Sequence, residues 1–415
     1  MSSDETPVEP TSDAPYAGEG VRVVLAEGRA RPAWAGHPDV YEGAITAVEG
    51  VPGDGDEVDV VDARGRFIGR GVWNGSSAVR VRIYRRTPGP IDAAFLARRV
   101  RQAVRLRREV LRLDDVASAW RVVHGVGDQL PGVVADRYGD HVVLQVTTRA
   151  AADRRGALAE ALLAALGARG VVERPAAEFA KREGFHPGGG RLAGEAPPDD
   201  VEVVENGVRH LVDLAHGQKT GLFLDQRDNR ARFAALARGR RVLDVFSGTG
   251  GFGLSALVGG ATGALAIDVS ARALARLREN AARNAVAERL EAREGDGFDA
   301  LRALAESPER FDAVSVDPPR FATSRRELPG ALRGYAELNL RAIEVVAPGG
   351  ILATSSCTGV LEEQEFLRML RDTALRARRR VQVLYVGGQA PDHPWTTAAP
   401  EGRYLKHVVA RVLSS

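Results

Sequence analysis

The sequence predicts an α/β protein whose C-terminal part is a doubly wound parallel sheet, preceded by a small β-barrel or sandwich and a central α/β domain. Three observations carry this. The stretch Arg241 to Gly253, RVLDVFSGTGGFG, joins a short apolar run to a glycine-rich turn and the start of an apolar helix. That is the pattern of a buried parallel strand feeding a helix whose N-terminus faces a ligand. From there to Gly388, strand-length and helix-length segments alternate regularly. Between Val21 and Arg86, in contrast, short β-rich segments are separated by the turn signals PGDGD, DARGR and WNGSS.

With 415 residues, 44% hydrophobic and 27% charged, the chain is long enough for two or three domains with ordinary cores. No apolar run approaches the roughly 18 residues of a membrane span. The start, MSSDETPVEP, lacks the basic and apolar regions of a secretory signal, so a cytoplasmic location is expected. The single cysteine, Cys357, excludes an intramolecular disulfide and a multi-cysteine metal site. Net charge is +2 and unevenly spread: residues 1–20 hold five acids and no Lys or Arg, so the remainder carries +7. Val21 to Leu113 holds 17 Arg against 11 acids. A basic folded part behind an acidic tail favours a polyanionic partner, although with Lys only at 181, 219 and 406 a codon-level habit also explains the arginines.

Taken in order, residues 1–20 are expected to form a disordered acidic tail. The segments VRVVL, YEGAITAVEG, DEVDVVDARGRFIGRGVW and AVRVRIYRR make the β-rich domain, 21–90. In the last of them Val79, Val81 and Ile83 alternate with Arg80, Arg82 and Tyr84, followed by Arg85 and Arg86. One face is apolar; the other either contacts phosphates or is simply solvated. Ile91 to Leu113 reads as a helix decorated by Arg98, Arg99, Arg101, Arg105, Arg107, Arg108 and Arg112, again open to both readings. A strand meander over Trp120 to Thr148, a helix at GALAEALLAALGARG and a loop, EGFHPGGGRLAGEAPPDD, complete the central domain, 91–200. The C-terminal domain, 201–415, opens with the hairpin VEVVENGVRHLVDL turning at Asn206-Gly207.

The turn from Gly248 to Gly253 spells GxGxxG, with Asp268 at the end of the next apolar run, ALAID. This alone is compatible with a dinucleotide oxidoreductase. Asp244 and Ser247 favour S-adenosylmethionine (SAM), whose amino-acid end needs polar partners where a pyrophosphate would want bare backbone. Asp268 suits the ribose of either cofactor, or merely caps the helix that follows. Further strands end near Asp296 in GDGF, at Asp317 in DPPRF and at Cys357 in SSCTG. Two prolines after a buried strand remove backbone donors and fix the turn, which leaves Asp317 for the cleft. The turn also resembles the [DN]PP[YF] turn of methyltransferases that modify exocyclic nitrogens, a likeness that implies a planar base as substrate without naming the atom. Carbon 5 of a pyrimidine cannot attack the SAM methyl unaided, and a thiolate added at carbon 6 supplies the missing electron density, a role Cys357 suits. The alternative for Cys357 is a small buried packing residue.

Together these stretches resemble the bacterial large-subunit rRNA cytosine-C5 methyltransferase family, its RlmI-like group in particular. The resemblance runs from about Val21 to Leu413 and also rests on VRVVLAEGRARPAWAGHPDVYEGAI, GVGDQLPGVVADRYG, HGQKTGLFLDQRDNR and DHPWTTAAPEGRYLK. It implies an N-terminal PUA domain that binds RNA, a central α/β domain and a C-terminal Rossmann-like class I SAM methyltransferase domain. SAM is then contacted by Phe223, Gln226 and Arg227, by the turn of Phe246, Ser247, Gly248, Thr249 and Gly250, by Asp268 at the ribose and by Asp296 at the adenine. Cys357 is implied as the nucleophile, with Asp317 on the pyrimidine edge near nitrogen 3. The partners implied are RNA, 23S rRNA above all, with no membrane; a homodimer stays open. Two-cysteine enzymes of this chemistry place a second Cys beside the DPP turn, whereas here Arg320 follows it, so that scheme is excluded. Rival readings are another methylation target (uracil carbon 5 or an exocyclic amine), a non-catalytic RNA-binding assembly factor, and a nicotinamide oxidoreductase.

Overall fold

The computed structural model describes Tyr16, Gly18 and residues 20–214 and 222–414. Most of the acidic tail and the HGQKTG part of the HGQKTGLFLDQRDNR stretch fall outside the described residues. The chain forms two compact units, one of residues 1–112, 120–199 and 392–400, the other of 113–119, 200–391 and 401–415.

In the first unit, strands Arg22–Leu25, Asp39–Tyr41, Ile45–Glu49, Glu57–Val61, Phe67–Trp73 and Val79–Arg85 form a curled six-stranded sheet whose edges are the second and third of them. Val40 from one edge shares a core with Val23, Leu25, Val58, Val60, Ile68, Val81 and Ile83, and Ile45 and Val48 from the other edge pack against it. Opposite edges meeting in one core is what curling achieves for a sheet with one apolar face. Register shifts in four of its pairings supply the bend.

Arg82 on the last strand and Arg86 just after it depart from both sequence readings. Arg82 bonds both carboxylate oxygens of buried Glu183, at 2.7 and 3.1 Å, and Arg86 donates to the carbonyls of Ala33 and His37 at 2.8 and 3.0 Å. Burial pushes the Arg86 guanidinium down to about 10. These side chains fasten the domain internally. The same holds for Arg107. The helix Ala93–Arg105, capped by Asp92, runs into a π-helical turn, Leu106–Val110, and Arg107 on that turn is fully buried. It bonds both oxygens of Asp128, one at 2.8 Å, and the carbonyls of Arg121 (2.9 Å) and Asp392 (2.6 Å). A π-turn adds a residue to the helical repeat and so rotates the face that a regular periodicity assigns to solvent.

The first unit is completed by a five-stranded sheet in the spatial order Gly190–Gly194, Gly170–Glu173, His141–Val146, Val133–Tyr138, Ala119–His124. The glycine- and proline-rich segment read as loop thus holds an edge strand, antiparallel to Gly170–Glu173. Edge pairing needs only one partner, and the apolar content of such a strand is correspondingly low.

The second unit opens with the hairpin Val201–Glu205 and Val208–Val212, turning at Asn206 (φ 48°) and Gly207 (φ 81°). A helix α1 (Arg227–Ala237) leads into β1 (Arg241–Val245), α2 (Gly251–Val258), β2 (Gly263–Asp268), α3 (Ala271–Arg283), β3 (Leu290–Glu294) and α4 (Gly297–Glu306). Then come β4 (Phe311–Val316), α5 (Leu328–Val345), β5 (Val346–Ser356), α6 (Glu363–Arg376), β6 (Arg379–Gly387) and β7 (Lys406–Ser414). The seven strands lie in the order 3-2-1-4-5-7-6. In β1, Val242 faces one core and Leu243 and Val245 the other, which is why this strand reads as a continuous apolar run. The parallel sheet expected from the alternation is broken by β7, antiparallel to both β5 and β6. No crossover helix connects β6 to β7, and an antiparallel neighbour requires none. Among the described residues no helix is long and apolar enough to cross a membrane.

Replacing Arg107 by Met should lower the unfolding free energy by about 3 kcal/mol, because Asp128 is left buried without its counter-charge; chemical denaturation monitored by tryptophan fluorescence measures this.

Candidate active site

The carboxyl ends of β1, β2, β4 and β5 lie at one edge of the sheet, where the parallel pairing aligns Val245 with Ile267 and Val316, and Val316 with Thr354. Beyond β1 the backbone turns sharply. Phe246 takes φ 63°, a left-handed conformation that bulky residues rarely adopt. Gly250, at φ 101°, caps α2, and a Cβ there would lie 2.1 Å from Leu277 Cδ1. The turn is held from β2: Ser247 N–H donates to Ile267 O at 3.1 Å and Gly248 N–H to Asp268 Oδ2 at 2.8 Å. From α3, Asn280 donates to the Thr249 carbonyl at 3.3 Å.

Asp244 lies beneath the turn. Its Oδ2 accepts from Gly253 N–H at 2.7 Å, which ties the first turn of α2 to β1. Burial, opposed by that amide and reinforced by the charges of Asp317 and Asp268, pushes the Asp244 carboxyl up to about 7. Asp268 accepts a second backbone bond on Oδ1, from Ser270 N–H at 2.9 Å. The Ser247 hydroxyl oxygen is buried and has no hydrogen-bond partner among the described residues. A buried hydroxyl left unpaired in this turn fits a ligand with polar ends. SAM is such a ligand.

At the end of β3, Asp296 is exposed and caps α4, its Oδ1 accepting from Phe298 N–H (2.8 Å) and Asp299 N–H (3.1 Å). The next residue, Gly297, has no room for a side chain: a Cβ would stand 2.4 Å from Phe246 Cζ. Phe246 meets Phe298 edge-on at 6.5 Å, Phe298 meets Phe321 at 6.0 Å, and Phe321 meets Tyr335 at 4.6 Å. This aromatic row joins the glycine turn to the residues around β5.

Asp317 follows β4 directly, half-buried. Gln226 Nε2 donates to Asp317 Oδ1 at 2.9 Å and to Ser355 Oγ at 3.1 Å, while Asn229 donates to Gln226 Oε1 at 2.7 Å and to the Gly388 carbonyl at 3.0 Å. Ser355 Oγ lies 2.9 Å from His407 Nδ1. Of the FLDQR residues, Gln226 is bonded to the ends of both β4 and β5. Phe223 is 38% exposed, and Arg227 is buried with its Nε 3.0 Å from Asp228 Oδ1.

Cys357 follows β5, half-buried. Its neighbour Thr358 carries Oγ1 2.9 Å from the Tyr335 hydroxyl, and the Thr358 carbonyl accepts from Lys406 Nζ at 2.5 Å. Burial raises the Tyr335 hydroxyl, and the charges of Cys357 and Asp317 act on it in the same direction. The two candidate catalytic groups therefore share one neighbourhood. Asn229, Tyr335, Thr358, Lys406 and His407 were not named as candidates, although Asn229, Thr358 and Lys406 lie within HGQKTGLFLDQRDNR, SSCTG and DHPWTTAAPEGRYLK. Lys406 did carry a signal: it is one of three lysines in an arginine-rich chain, and it opens an apolar run.

A family model for S-adenosylmethionine-dependent methyltransferases matches residues 182–390, and one for a PUA-like domain matches 23–86. The chain is 38% identical over 394 residues to ribosomal RNA large subunit methyltransferase I of Salmonella arizonae, covering 94% of this chain and 98% of that one. The enzyme of that name from Erwinia tasmaniensis is 38% identical over 395 residues, covering 95% and 100%. Among solved structures, a proposed SAM-dependent methyltransferase from Streptococcus mutans superposes with a TM-score of 0.80 at 19% identity, over 94% of this chain and 99% of that one. Another proposed methyltransferase, solved with SAH, gives a TM-score of 0.81 at 19% identity. These two likenesses are of fold.

Gly250→Ala combines a left-handed φ with a contact on Leu277. It should weaken SAM binding by about tenfold, roughly 1.4 kcal/mol, with circular dichroism unchanged; isothermal titration with SAM measures it.

Proposed function

Since the chain belongs to the ribosomal RNA large subunit methyltransferase I family of SAM-dependent enzymes, we propose that it methylates carbon 5 of a cytosine in 23S rRNA through a covalent bond between Cys357 and carbon 6. The observation that carries this reading is the placement of Asp317 and Cys357 after adjacent parallel strands, β4 and β5, at the edge that also holds the glycine turn. The N-terminal sheet, PUA-like over 23–86, supplies RNA binding.

SAM supplies an electrophilic methyl group. The turn residues Phe246, Ser247, Gly248, Thr249 and Gly250 and the Asp268 carboxylate hold it, with Asp296 at the far end of the same edge. The Cys357 thiolate attacks carbon 6 of the base, forming the S–C6 bond while the C5=C6 π pair moves onto carbon 5. Asp317, oriented by Gln226, faces the nitrogen 3 edge and, as the carboxylic acid, donates its proton to nitrogen 3 and so steadies the charge that spreads there. Carbon 5 takes the methyl group as the sulfonium S–CH3 bond breaks and leaves S-adenosylhomocysteine; the carbon 5 proton then passes to water, its bonding pair re-forms C5=C6, and the S–C6 bond breaks with Cys357 departing as thiolate. With one cysteine in the chain, no second thiol takes part in release.

Incubating protein-free 23S rRNA with methyl-labelled SAM and digesting the product to nucleosides should give labelled 5-methylcytidine. Cys357→Ala should lower that label by on the order of a thousandfold, and Asp317→Asn by at least about tenfold. Label in a different nucleoside that survives Cys357→Ala would return Cys357 to a packing role and sink the C5 chemistry.

A further inference from the structure

Lys406 is the only lysine in the catalytic unit apart from Lys219, and its side chain is 3% exposed. Few ammonium groups are buried so deeply without a carboxylate bonded to them. Its hydrogen bonds run instead to two backbone carbonyls, Thr358 O at 2.5 Å and Tyr404 O at 2.7 Å. An ammonium has three N–H donors, and those two carbonyls occupy two of them. The backbone register sets Lys406 across from Ser356, the residue before Cys357, while its Nζ bonds the carbonyl of Thr358, the residue after it. Lys406 thus brackets the cysteine along the chain, its backbone beside Ser356 and its ammonium on the Thr358 carbonyl.

We propose that Lys406 is a positioning residue for Cys357: its buried ammonium fixes the Ser356–Thr358 turn and serves as the counter-charge that keeps the sulfur in the thiolate form. This rests on the reading of Cys357 as the nucleophile. The charges around the pair come from every neighbouring element. Asp317 lies after β4, Arg320 follows the DPP turn, Tyr335 comes from α5, Glu363 from α6, and Arg403 from the segment before β7. Burial is the largest influence on Lys406 and lowers it to about 8, Arg320 and Arg403 act with burial, and Cys357 and Glu363 act against it. The sign is therefore fixed. Below about 8 the positive charge is present beside the sulfur; as pH rises through that value it is lost, and the support it gives the thiolate goes with it.

The proton balance is simple. Ionisation moves the Cys357 S–H proton to solvent, and the lysine keeps its own; attack on carbon 6 then consumes the sulfur's negative charge. Elimination restores it, and the ammonium favours that return of charge to sulfur. The same group thus assists both the opening and the closing of the covalent bond.

Because the chain has one cysteine, alkylation by iodoacetamide followed by mass spectrometry reports on Cys357 alone. In the wild-type enzyme the rate of alkylation against pH should have its midpoint below the ordinary thiol value of about 8.5. Lys406→Met should move the midpoint up by at least one unit, lowering the rate at pH 7 about tenfold, and Lys406→Arg should recover most of it. Methyl transfer by Lys406→Met should fall in kcat, with SAM affinity within about threefold of wild type, and should recover in part at higher pH. A wild-type midpoint at or above 8.5 would overturn the proposal without any variant, which covers the case of a Lys406→Met protein that fails to fold. An unchanged midpoint in Lys406→Met that still binds SAM would overturn it too. Failure of the nucleophile reading is separate: it appears as methyl transfer that survives Cys357→Ala, whatever the thiol titration gives.

Discussion

Two carboxylates hold the turn on which the active edge depends. Asp244 reaches up from β1 to the first turn of α2, and Asp268 reaches across from β2 to Gly248 N–H. A turn containing Phe246, Gly248 and Gly250 at positive φ is strained or entropically costly unless neighbours over-determine it. These bonds over-determine it from both flanking elements. The cost is visible in Asp244, whose carboxyl is driven up to about 7 by being buried there. Once the turn is fixed, parallel pairing carries its position to β4 and β5, so that Asp317 and Cys357 emerge at the same edge. Gln226 then bonds Asp317 and Ser355, the residue two before Cys357.

Much of this was legible in the chain because it is written in short-range chemistry. The glycines after RVLDV announce the turn, Asn206-Gly207 announces the hairpin, and apolar runs fully buried on both faces announce the inner strands. What was not legible depends on partners distant in sequence. Arg82 and Arg107 read as surface charge because nothing local reveals Glu183 or Asp128. The edge strand Gly190–Gly194 hides in a glycine-rich segment, and β7 reverses direction without any local mark of it. In the active edge, the motif positions Asp317 and Cys357 stand where strand endings put them. The bonds that orient the edge come from Gln226 just before α1, Asn229 in α1 and Lys406 in β7; these residues lie in recognisable stretches, but their partners are distant in the chain.

The arginine surplus deserves a narrower interpretation than composition invites. Several of the arginines that make the N-terminal region basic are spent inside it, on Glu183, on the carbonyls of Ala33 and His37, and on Asp128. Such residues cannot release counterions from an RNA backbone, because their guanidinium groups are already bonded. The electrostatic surface offered to RNA is smaller than a count of arginines suggests, and it falls to side chains such as Arg101 that the fold leaves exposed.

The strand order 3-2-1-4-5-7-6 also bears on how the protein is made. β7 is the last of the seven strands to be synthesised, yet it lies inside the sheet, between β5 and β6. Until it arrives, β5 presents an unpaired edge and β6 has no neighbour, two open templates of the kind that promote mispairing during synthesis. The residues between β6 and β7 meanwhile belong to the other unit over 392–400. A nascent chain lacking β7 therefore holds the glycine turn and the cysteine strand while its inner edge is still open and Lys406 is still missing.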